Sequence, residues 1–336
     1  MTPNRVHADG VNEPDARRPN VHAAPVSGPP TLACPATDVG PRESVARPRL
    51  GGDCWFLAGP TAAGKTSLAL RLAERLDAEV VSVDSMAVYR DLDIGTAKPS
   101  RQDRDRVPHH LVDMVPAAAG YSVARWLDDA AAAVEAIRSR GRQILFVGGT
   151  PLYLRALRDG LAPLPADDPE FRRRMLDEAE RRGAAALHER LAAIDPASAA
   201  RLHPNDLKRI VRALEVAHCG GRTLTEAFAP EPDPIVESRM MILDLPRRML
   251  ADRINSRVER MFACGLIDEV RQAESQPGGI GPTARQAAGY AETLDLLTGR
   301  LSLREAIIRT QQRTRQLAKR QLTWLRSFRS AVWISC

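Results

Sequence analysis

The sequence is short of aromatic residues, of paired cysteines and of long hydrophobic runs. Aromatic residues make up only 4%, and the five cysteines are scattered without a Cys-x-x-Cys pair, so neither a disulfide framework nor a cysteine-rich metal site is indicated. No apolar run approaches the roughly 20 residues that span a bilayer, and the N-terminus lacks the apolar core of a signal peptide. We therefore expect a cytoplasmic protein with no membrane association. The net charge of +6 is compatible with an acidic partner, although on its own it is weak support.

The first fifty residues also lack hydrophobic periodicity. Residues 1–50 are rich in proline, alanine and arginine, a composition that buries too little apolar surface to offset the entropy of ordering. We predict a disordered Pro-rich tail. Its arginines are mixed with acidic residues, which disfavours a basic RNA-binding arm. The folded part is expected to span 51–336.

The most informative stretch is a glycine-rich loop at residues 59–66. It follows the apolar, strand-like segment 55–58 and precedes a helical pattern that begins at Ser67, the context in which G-x-x-x-x-G-K-[ST] binds phosphate. Glycines let the backbone amides turn inward, and the helix N-terminus adds positive potential. The pattern leaves open which phosphorylated molecule is bound. The predicted phosphate-binding residues are Gly59, Pro60, Thr61, Ala62, Ala63, Gly64, Lys65 and Thr66, with Thr66 as the magnesium ligand.

Strands and helices alternate around this loop, which predicts an α/β fold. A helix capped by Ser122 and ending near Gly141 separates two buried-strand patterns, so we expect a mostly parallel, P-loop NTPase-like sheet covered by helices. Predicted strands after the first lie at 79–85, 109–115, 144–147 and 240–245.

The pattern changes in the second half of the chain. From about Asp167 to Cys219 the sequence is helical, charged and free of strand patterns, and we place a helical insertion of the catalytic unit at about 161–205. A last long helix is predicted from Ser302, a capping residue with Glu305 three positions on, to Phe328.

Asp84 is the second residue that points to chemistry. It ends the strand that follows the loop's helix, and ligands of open parallel sheets bind at the carboxyl ends of the strands. A carboxylate at this place is a general base, a magnesium ligand or a helix N-cap, and its position alone leaves all three open.

The C-terminal helix carries charge of nearly one sign. Glu305 is the only acidic residue between Arg300 and Arg329, and Trp324 and Phe328 are interleaved with the arginines. This combination favours a nucleic-acid backbone and its bases over a phosphorylated substrate or an acidic protein. A second basic cluster, 208–212, is predicted on a helix.

Seven segments, in order from about Trp55 to Arg326, resemble the tRNA dimethylallyltransferase (tRNA isopentenyltransferase) family. A single segment would be weak support, but seven in order are highly specific. They are Gly-Pro-Thr-Ala-Ala-Gly-Lys-Thr (59–66), Asp-Ser-Met-Ala-Val-Tyr-Arg (84–90), Asp-Ile-Gly-Thr-Ala-Lys-Pro (93–99), Pro-His-His-Leu-Val-Asp (108–113), Gly-Gly-Thr-Pro-Leu-Tyr-Leu (148–154), His-Pro-Asn-Asp (203–206) and Ala-Lys-Arg-Gln-Leu-Thr-Trp (318–324).

The resemblance implies that a dimethylallyl group moves from dimethylallyl diphosphate to the exocyclic amine of the adenosine immediately 3′ of the anticodon. The loop would then hold the donor's diphosphate with Mg²⁺, Asp84 would be the base, and Lys65, Thr66 and Arg253 would stabilise the leaving group. Contacts with the tRNA anticodon stem-loop would come from Asp84, Ser85, Met86, Ala87, Thr150, Arg172, Lys208, Arg209, Ile210, Val211, Arg212, Arg285, Lys319, Arg320, Gln321, Trp324 and Arg326.

Some residues depart from the family pattern, and other functions compete with it. Ala87, Asp91, Pro151, Lys208 and the segment 288–292 differ from the residues expected there, which puts individual contacts in doubt but leaves the loop and Asp84 untouched. The rivals are a small-molecule P-loop kinase, an adenylate isopentenyltransferase and a non-catalytic RNA-binding ATPase. We expect the protein to be a monomer.

Overall fold

The apolar segments that alternate with helices form a single parallel sheet. The computed structural model describes residues 47–165, 167–228 and 232–335. Within those ranges six strands lie in the order β3-β2-β4-β1-β5-β6, and every neighbouring pair is parallel. This confirms the predicted α/β fold. The strands are β1 (Cys54–Ala58), β2 (Ala78–Val83), β3 (His109–His110), β4 (Gln143–Gly148), β5 (Met240–Asp244) and β6 (Val332–Ser335).

Helices connect and cover these strands. Those of the first half are α1 (Lys65–Leu76), α2 (Arg101–Arg106), α3 (Val123–Ser139), α4 (Pro151–Asp159), α5 (Pro169–Arg182), α6 (Ala184–Ile194) and α7 (Pro196–Arg201). Those of the second half are α8 (Leu207–Gly220), α9 (Leu224–Ala227), α10 (Pro234–Ser238), α11 (Arg247–Ala263), α12 (Leu266–Ser275), the 3₁₀ turn Ala284–Gln286, α13 (Tyr290–Leu297) and α14 (Leu303–Leu325).

The register of the central strands brings three loops to one edge of the sheet. Ala58 of β1 and Val83 of β2 both pair with Gly148 of β4, so these three strands end level with one another. The residues that follow them, Gly59, Asp84 and Gly149, therefore leave the sheet side by side. This is the edge at which parallel sheets bind ligands.

Helix α3 shows how sequence signals produce the local structure. The Ser122 hydroxyl accepts a hydrogen bond from the Arg125 amide, which satisfies one of the unpaired donors of the first turn. Apolar residues at helical spacing bury one face against the sheet, and the Trp126 indole donates to the Ser82 carbonyl at 3.1 Å. The predicted cap is confirmed.

Helices α5 to α8 enclose a hydrophobic core of their own. It runs from Phe171 on α5 to Leu214 on α8 and is separate from the core around the sheet. The predicted end of the insertion at residue 205 is therefore too early, because α8 supplies part of this core.

Three other predicted boundaries need correction. The strand expected at 109–115 is only two residues long, because Leu111 and Asp113 adopt positive φ angles that end it. The C-terminal helix stops at Leu325, and the chain then forms β6, which was not predicted. Of the predicted tail, residues 1–46 lie outside the described ranges, whereas Arg47 donates to the Arg158 carbonyl at 2.9 Å and Pro48 is buried.

Candidate active site

The glycine-rich loop lies between β1 and α1, as predicted. Gly64 precedes the helix with a φ of 93°, a left-handed conformation that costs glycine little. The Lys65 ammonium turns back over the loop and donates to the carbonyls of Gly59 (3.0 Å) and Pro60 (2.8 Å). Burial lowers the pKa of Lys65 to about 8, although nearby Asp84 opposes this shift. The amine is therefore fixed in the loop, and its charge depends on pH just above neutrality.

A cavity of about 780 Å³ opens over this loop, and we call it the loop cavity. Thr61, Lys65 and Thr66 line it together with the N-terminus of α1. Helix α11 adds three guanidinium groups, and cations beside a helix N-terminus favour a bound anion. The three side chains are Arg253, Arg257 and Arg260.

Two of these three arginines were not predicted as site residues. Arg257 is half-buried and donates to the Thr61 hydroxyl at 3.3 Å, whereas Arg253 and Arg260 are exposed. Burial lowers the pKa of Arg257, and the charge of Asp84 acts in the opposite direction. A sequence signal did exist, because positions i, i+4 and i+7 share one face of a helix.

Thr66 is placed where it can share a cation with a bound phosphate. It is the second residue of α1, its side chain is exposed, and it lines the loop cavity. Across the described ranges no cluster of three or more His, Cys, Asp or Glu residues could hold a metal. A Thr hydroxyl combined with phosphate oxygens and water nevertheless fits Mg²⁺, which usually takes few protein ligands.

Two further cavities adjoin the loop cavity. An inner chamber of about 80 Å³ lies beside the sheet and is lined by Ala69, Val80 and Val147. A cavity of about 290 Å³, which we call the α14 cavity, is lined by Leu317 and Arg320 of α14. Among the described residues, Asp84 and Thr96 line all three cavities. Asp84 therefore lies where the three spaces meet.

The surroundings of Asp84 exclude one of its three predicted roles. Its Oδ1 accepts a hydrogen bond from the Met86 amide at 2.8 Å, and residues 85–88 form a turn rather than a helix. Asp84 is thus not a helix N-cap. The structure shows no hydrogen bond to Oδ2 from any described residue, so this oxygen is free to accept a proton or bind a cation.

The residues after Asp84 face two different cavities. Ser85 and Met86 line the α14 cavity with Thr150, whose hydroxyl accepts a hydrogen bond from the Ser85 amide at 3.0 Å. Ala87 was predicted to contact tRNA, but it is buried and lines the inner chamber instead. The reason is the turn at 85–88, which directs its methyl group toward the sheet.

Gln321 ties α14 to the loop. Its side chain is buried, accepts from the Thr61 amide at 2.9 Å and donates to the Gly149 carbonyl at 2.8 Å. Its polar atoms therefore bind the protein's own backbone, at the border between the loop cavity and the α14 cavity. The predicted RNA-contact role does not fit this placement, because neither polar group faces outward.

The remaining predicted contacts on the C-terminal helix are exposed. Lys319, Arg320 and Arg326 are exposed and have no carboxylate partner among the described residues. The Trp324 ring is 39% exposed, and the Arg155 guanidinium of α4 lies 5.9 Å from its centroid. Free cations beside an exposed ring can contact both the phosphates and the bases of RNA.

The helical period of α8 places the residues of the basic cluster 208–212 on different faces of the helix. Lys208 and Arg209 are exposed, whereas Ile210 and Val211 are buried in the insertion core. We correct the prediction for Ile210 and Val211, since a buried aliphatic side chain cannot reach RNA.

Three further predicted contacts already have acidic partners. Arg172 and Arg212 both pair with the buried carboxylate of Glu215, at 2.8 and 2.5 Å, and Arg285 pairs with Glu274 at 2.7 Å. Only their remaining donors are available to a ligand. Lys208, in contrast, has no carboxylate partner among the residues that the structure describes.

A first strand that leads through a glycine-rich loop into a helix, at the carboxyl ends of the strands of a parallel sheet, defines a P-loop-like fold. Lysine and arginine side chains line the cavity above its loop. The family model for IPP transferases matches residues 87–328. The chain therefore belongs to the IPP transferase family.

Individual relatives agree with this assignment. The tRNA dimethylallyltransferase of Anaeromyxobacter dehalogenans (strain 2CP-C) is 49% identical over 282 residues, which cover 83% of this chain and 94% of that protein. The tRNA dimethylallyltransferase of Geobacter metallireducens is 46% identical over 284 residues, with coverage of 83% and 91%.

Solved structures are similar as well. The tRNA isopentenylpyrophosphate transferase of Bacillus halodurans matches with a TM-score of 0.59 and 38% identity, covering 84% of this chain and 89% of that one. A eukaryotic dimethylallyltransferase that acts on tRNA matches with a TM-score of 0.66 and 29% identity, covering 83% and 73%. These similarities give no support to the kinase alternative.

Proposed function

We propose that this protein transfers the dimethylallyl group of dimethylallyl diphosphate to the exocyclic amine of the adenosine 3′ of the anticodon in tRNA, and releases diphosphate. The named relatives support the reaction class. The observation that carries the proposal is the position of Asp84, where the loop cavity meets the α14 cavity. A donor held by the loop and a base entering past α14 would converge on this carboxylate.

The reaction requires a base and a site for a departing anion. The lone pair of an exocyclic purine amine is delocalised into the ring, so removal of an N–H proton by Asp84 makes the nitrogen a better nucleophile. The nitrogen bonds to the first carbon of the allyl group as the bond from that carbon to the diphosphate oxygen breaks.

Negative charge grows on the diphosphate during this step. Lys65, Arg253 and Arg257 line the cavity that would hold it, together with the amides at the start of α1. Preorganised donors of this kind stabilise charge that develops in the transition state. Thr66 would hold Mg²⁺, which would supply Lewis-acid stabilisation of the leaving group.

The acceptor base must leave its stack to reach Asp84. Sequence-specific proteins commonly read RNA loops by splaying bases out and stacking them on aromatic or guanidinium groups. Trp324, Arg320 and Lys319 provide an exposed surface of this type next to the α14 cavity. Lys208 on the insertion would contact the backbone of the anticodon stem-loop.

The proposed place of the reaction in the cell follows from its substrate. No helix in the described parts of the chain is long and apolar enough to cross a membrane. Among the cysteines that the structure describes, Cys54 and Cys264 are free thiols. With tRNA as its substrate, the protein would act in the cytoplasm, as a monomer and without a membrane partner.

The test is to map the product. An unmodified anticodon stem-loop is incubated with dimethylallyl diphosphate and Mg²⁺, digested to nucleosides and analysed by mass spectrometry. We expect one dimethylallyl group on the adenosine 3′ of the anticodon and none when that base is replaced by guanosine. A modified nucleoside at any other position would refute the assignment of the acceptor.

A further inference from the structure

Glu269, on α12, binds the backbone of a loop that is far from it in sequence. Its Oε2 accepts hydrogen bonds from the amides of Asp93 (2.7 Å) and Ile94 (2.6 Å). Its Oε1 accepts from the amide of Gly95 at 3.1 Å and from the Tyr290 hydroxyl at 2.8 Å. Hydrogen bonds to an ionised acceptor are roughly twice as strong as neutral ones, so this one carboxylate fixes three consecutive residues.

Tyr290, at the start of α13, also holds residues 93–95 in place, and we call the contacts of Glu269 and Tyr290 with this segment the first anchor of the loop. Its side chain is fully buried and packs closely against Gly95. A Cβ at position 95 would lie 2.5 and 2.6 Å from two ring carbons of Tyr290 and 2.7 Å from its hydroxyl oxygen. Glycine is thus required at position 95 by this ring. The loop cannot shift toward α13 and cannot leave it without losing the hydrogen bonds to Glu269.

The other end of the loop is also tied down. The buried Lys98 ammonium pairs with Asp93 at 2.7 Å and with Asp113 at 2.5 Å. Thr96 and Ala97, which lie between the two anchors, line both the loop cavity and the inner chamber. Thr96 also lines the α14 cavity and so shares with Asp84 the place where the three cavities meet.

No described residue of α12 lines any of these cavities, so Glu269 influences the site only through the loop. The segment 93–95 belongs to no strand or helix, and a polar loop outside the sheet has no ladder of hydrogen bonds to hold it. A shift of about 1 Å in a group beside the reacting atoms can lower a rate by about a hundredfold.

We propose that Glu269 is a positioning residue for the transfer step, because it holds Thr96 and Ala97 against the cavity junction through the amides of residues 93–95. The inference rests on the function proposed above. Tyr290 supports the same carboxylate, and Gly95 provides the close contact through which the ring fixes the loop.

The test compares Glu269→Gln with Asp268→Asn on the same helix. Glutamine keeps the shape of the side chain but offers only one acceptor oxygen and points an N–H group at backbone donors. Asp268 is exposed and pairs with Arg271, so its variant loses the same charge away from the loop. We expect Glu269→Gln to lower kcat about tenfold or more, while its KM for tRNA stays within about twofold of the wild-type value. Asp268→Asn should keep the wild-type kcat and KM.

Two measurements do not depend on turnover. Hydrogen exchange at the amides of residues 93–95 should become faster in Glu269→Gln, since those amides lose their acceptor. The Kd for inorganic diphosphate should rise at least about threefold, because the loop lines the cavity that would hold it. If the unmodified protein transfers no prenyl group, the proposed function fails, and these two measurements still decide the present inference.

A second variant keeps the proposal testable if Glu269→Gln does not fold. Gly95→Ala adds a methyl group that collides with the Tyr290 ring, and it should reproduce the loss of kcat with the Glu269 carboxylate in place. A folded Glu269→Gln or Gly95→Ala protein with wild-type kcat and diphosphate affinity would overturn the proposal. A lower melting temperature with unchanged kcat and diphosphate affinity would also overturn it, because Glu269 would then be only a structural anchor.

Discussion

At the scale of single residues, the proposed base is Asp84. Its Oδ1 accepts a hydrogen bond from the Met86 amide, and its Oδ2 receives no hydrogen bond from a described residue. The residue itself lines the three cavities that meet there. Replacement by asparagine keeps the shape and removes the base. We expect Asp84→Asn to bind tRNA with wild-type affinity and to lose about 10²- to 10⁴-fold in kcat, measured in single-turnover assays.

The control for this variant is Asp252→Asn. Asp252 is an exposed carboxylate that also lines the loop cavity, so it reports the effect of removing one negative charge there. Its turnover should stay within about threefold of wild type. Equal losses in the two variants, or preserved turnover in Asp84→Asn, would remove Asp84 as the base.

We predict that Lys65 makes diphosphate binding dependent on pH. Burial lowers the pKa of its amine to about 8 in the free protein, and a bound anion favours the charged form and raises that pKa again. Below the free-protein pKa the amine is charged with or without ligand, so affinity is constant. Above it, binding must add a proton, and affinity falls by up to about tenfold per pH unit.

This dependence can be measured with inorganic diphosphate by calorimetry at several pH values between about 7 and 9.5, and proton uptake appears as a dependence of the heat on the buffer. Lys65→Met should bind weakly and show no such pH profile. A flat profile in the unmodified protein would mean that Lys65 does not neutralise the ligand.

At the scale of secondary-structure elements, α11 presents a basic face to the loop cavity. Arg253 and Arg257 line the loop cavity, and Arg257 also contacts Thr61 of the loop. If they stabilise the leaving diphosphate, Arg253→Gln and Arg257→Gln should each lower kcat about a hundredfold. Arg248 lies on the same helix, is exposed and does not line that cavity. Its glutamine variant should retain full kcat, and a comparable loss there would point to a general effect of net charge.

Helix α14 has two exposed basic pairs that can be compared directly. Lys319 and Arg320 lie close to the α14 cavity, whereas Arg304 and Arg309 lie near the start of the helix. Neutralising Lys319 and Arg320 together should weaken tRNA binding and lower the slope of log Kd against log salt by about 1.5. Filter binding at several salt concentrations measures this slope. The Arg304/Arg309 double variant should leave it unchanged, and equal changes in both would mean that the helix attracts RNA only through its overall charge.

At the scale of the whole molecule, the sequence predicts the order of strands and helices better than it predicts which side chains contact one another. The loop at 59–66, the strands β1, β2, β4 and β5 and the Ser122 and Ser302 caps are local patterns with a physical cause, and each lies close to where it was expected. The strand expected at 109–115 is the exception. Strand β6 was missed because its four residues, Val332–Ser335, carry no alternation and its partner β5 is distant in sequence.

The site was only partly predictable for the same reason. Asp84 and Lys65 follow from local motifs, but the anchoring of residues 93–95 by Glu269 joins segments about 175 positions apart and leaves no local signal. Burial of Ile210 and Val211 likewise depends on which face of α8 meets α5 and α6, and a short basic cluster does not reveal it.

The central claim, prenyl transfer to tRNA, is tested most directly by one incubation. Dimethylallyl diphosphate with a labelled prenyl group is mixed with the protein, Mg²⁺ and either unmodified tRNA, AMP or no acceptor, and label in each acceptor is counted. Transfer into tRNA alone is the predicted result. Label found only in AMP, or no label in any acceptor while ATP supplied in parallel is consumed, would contradict it.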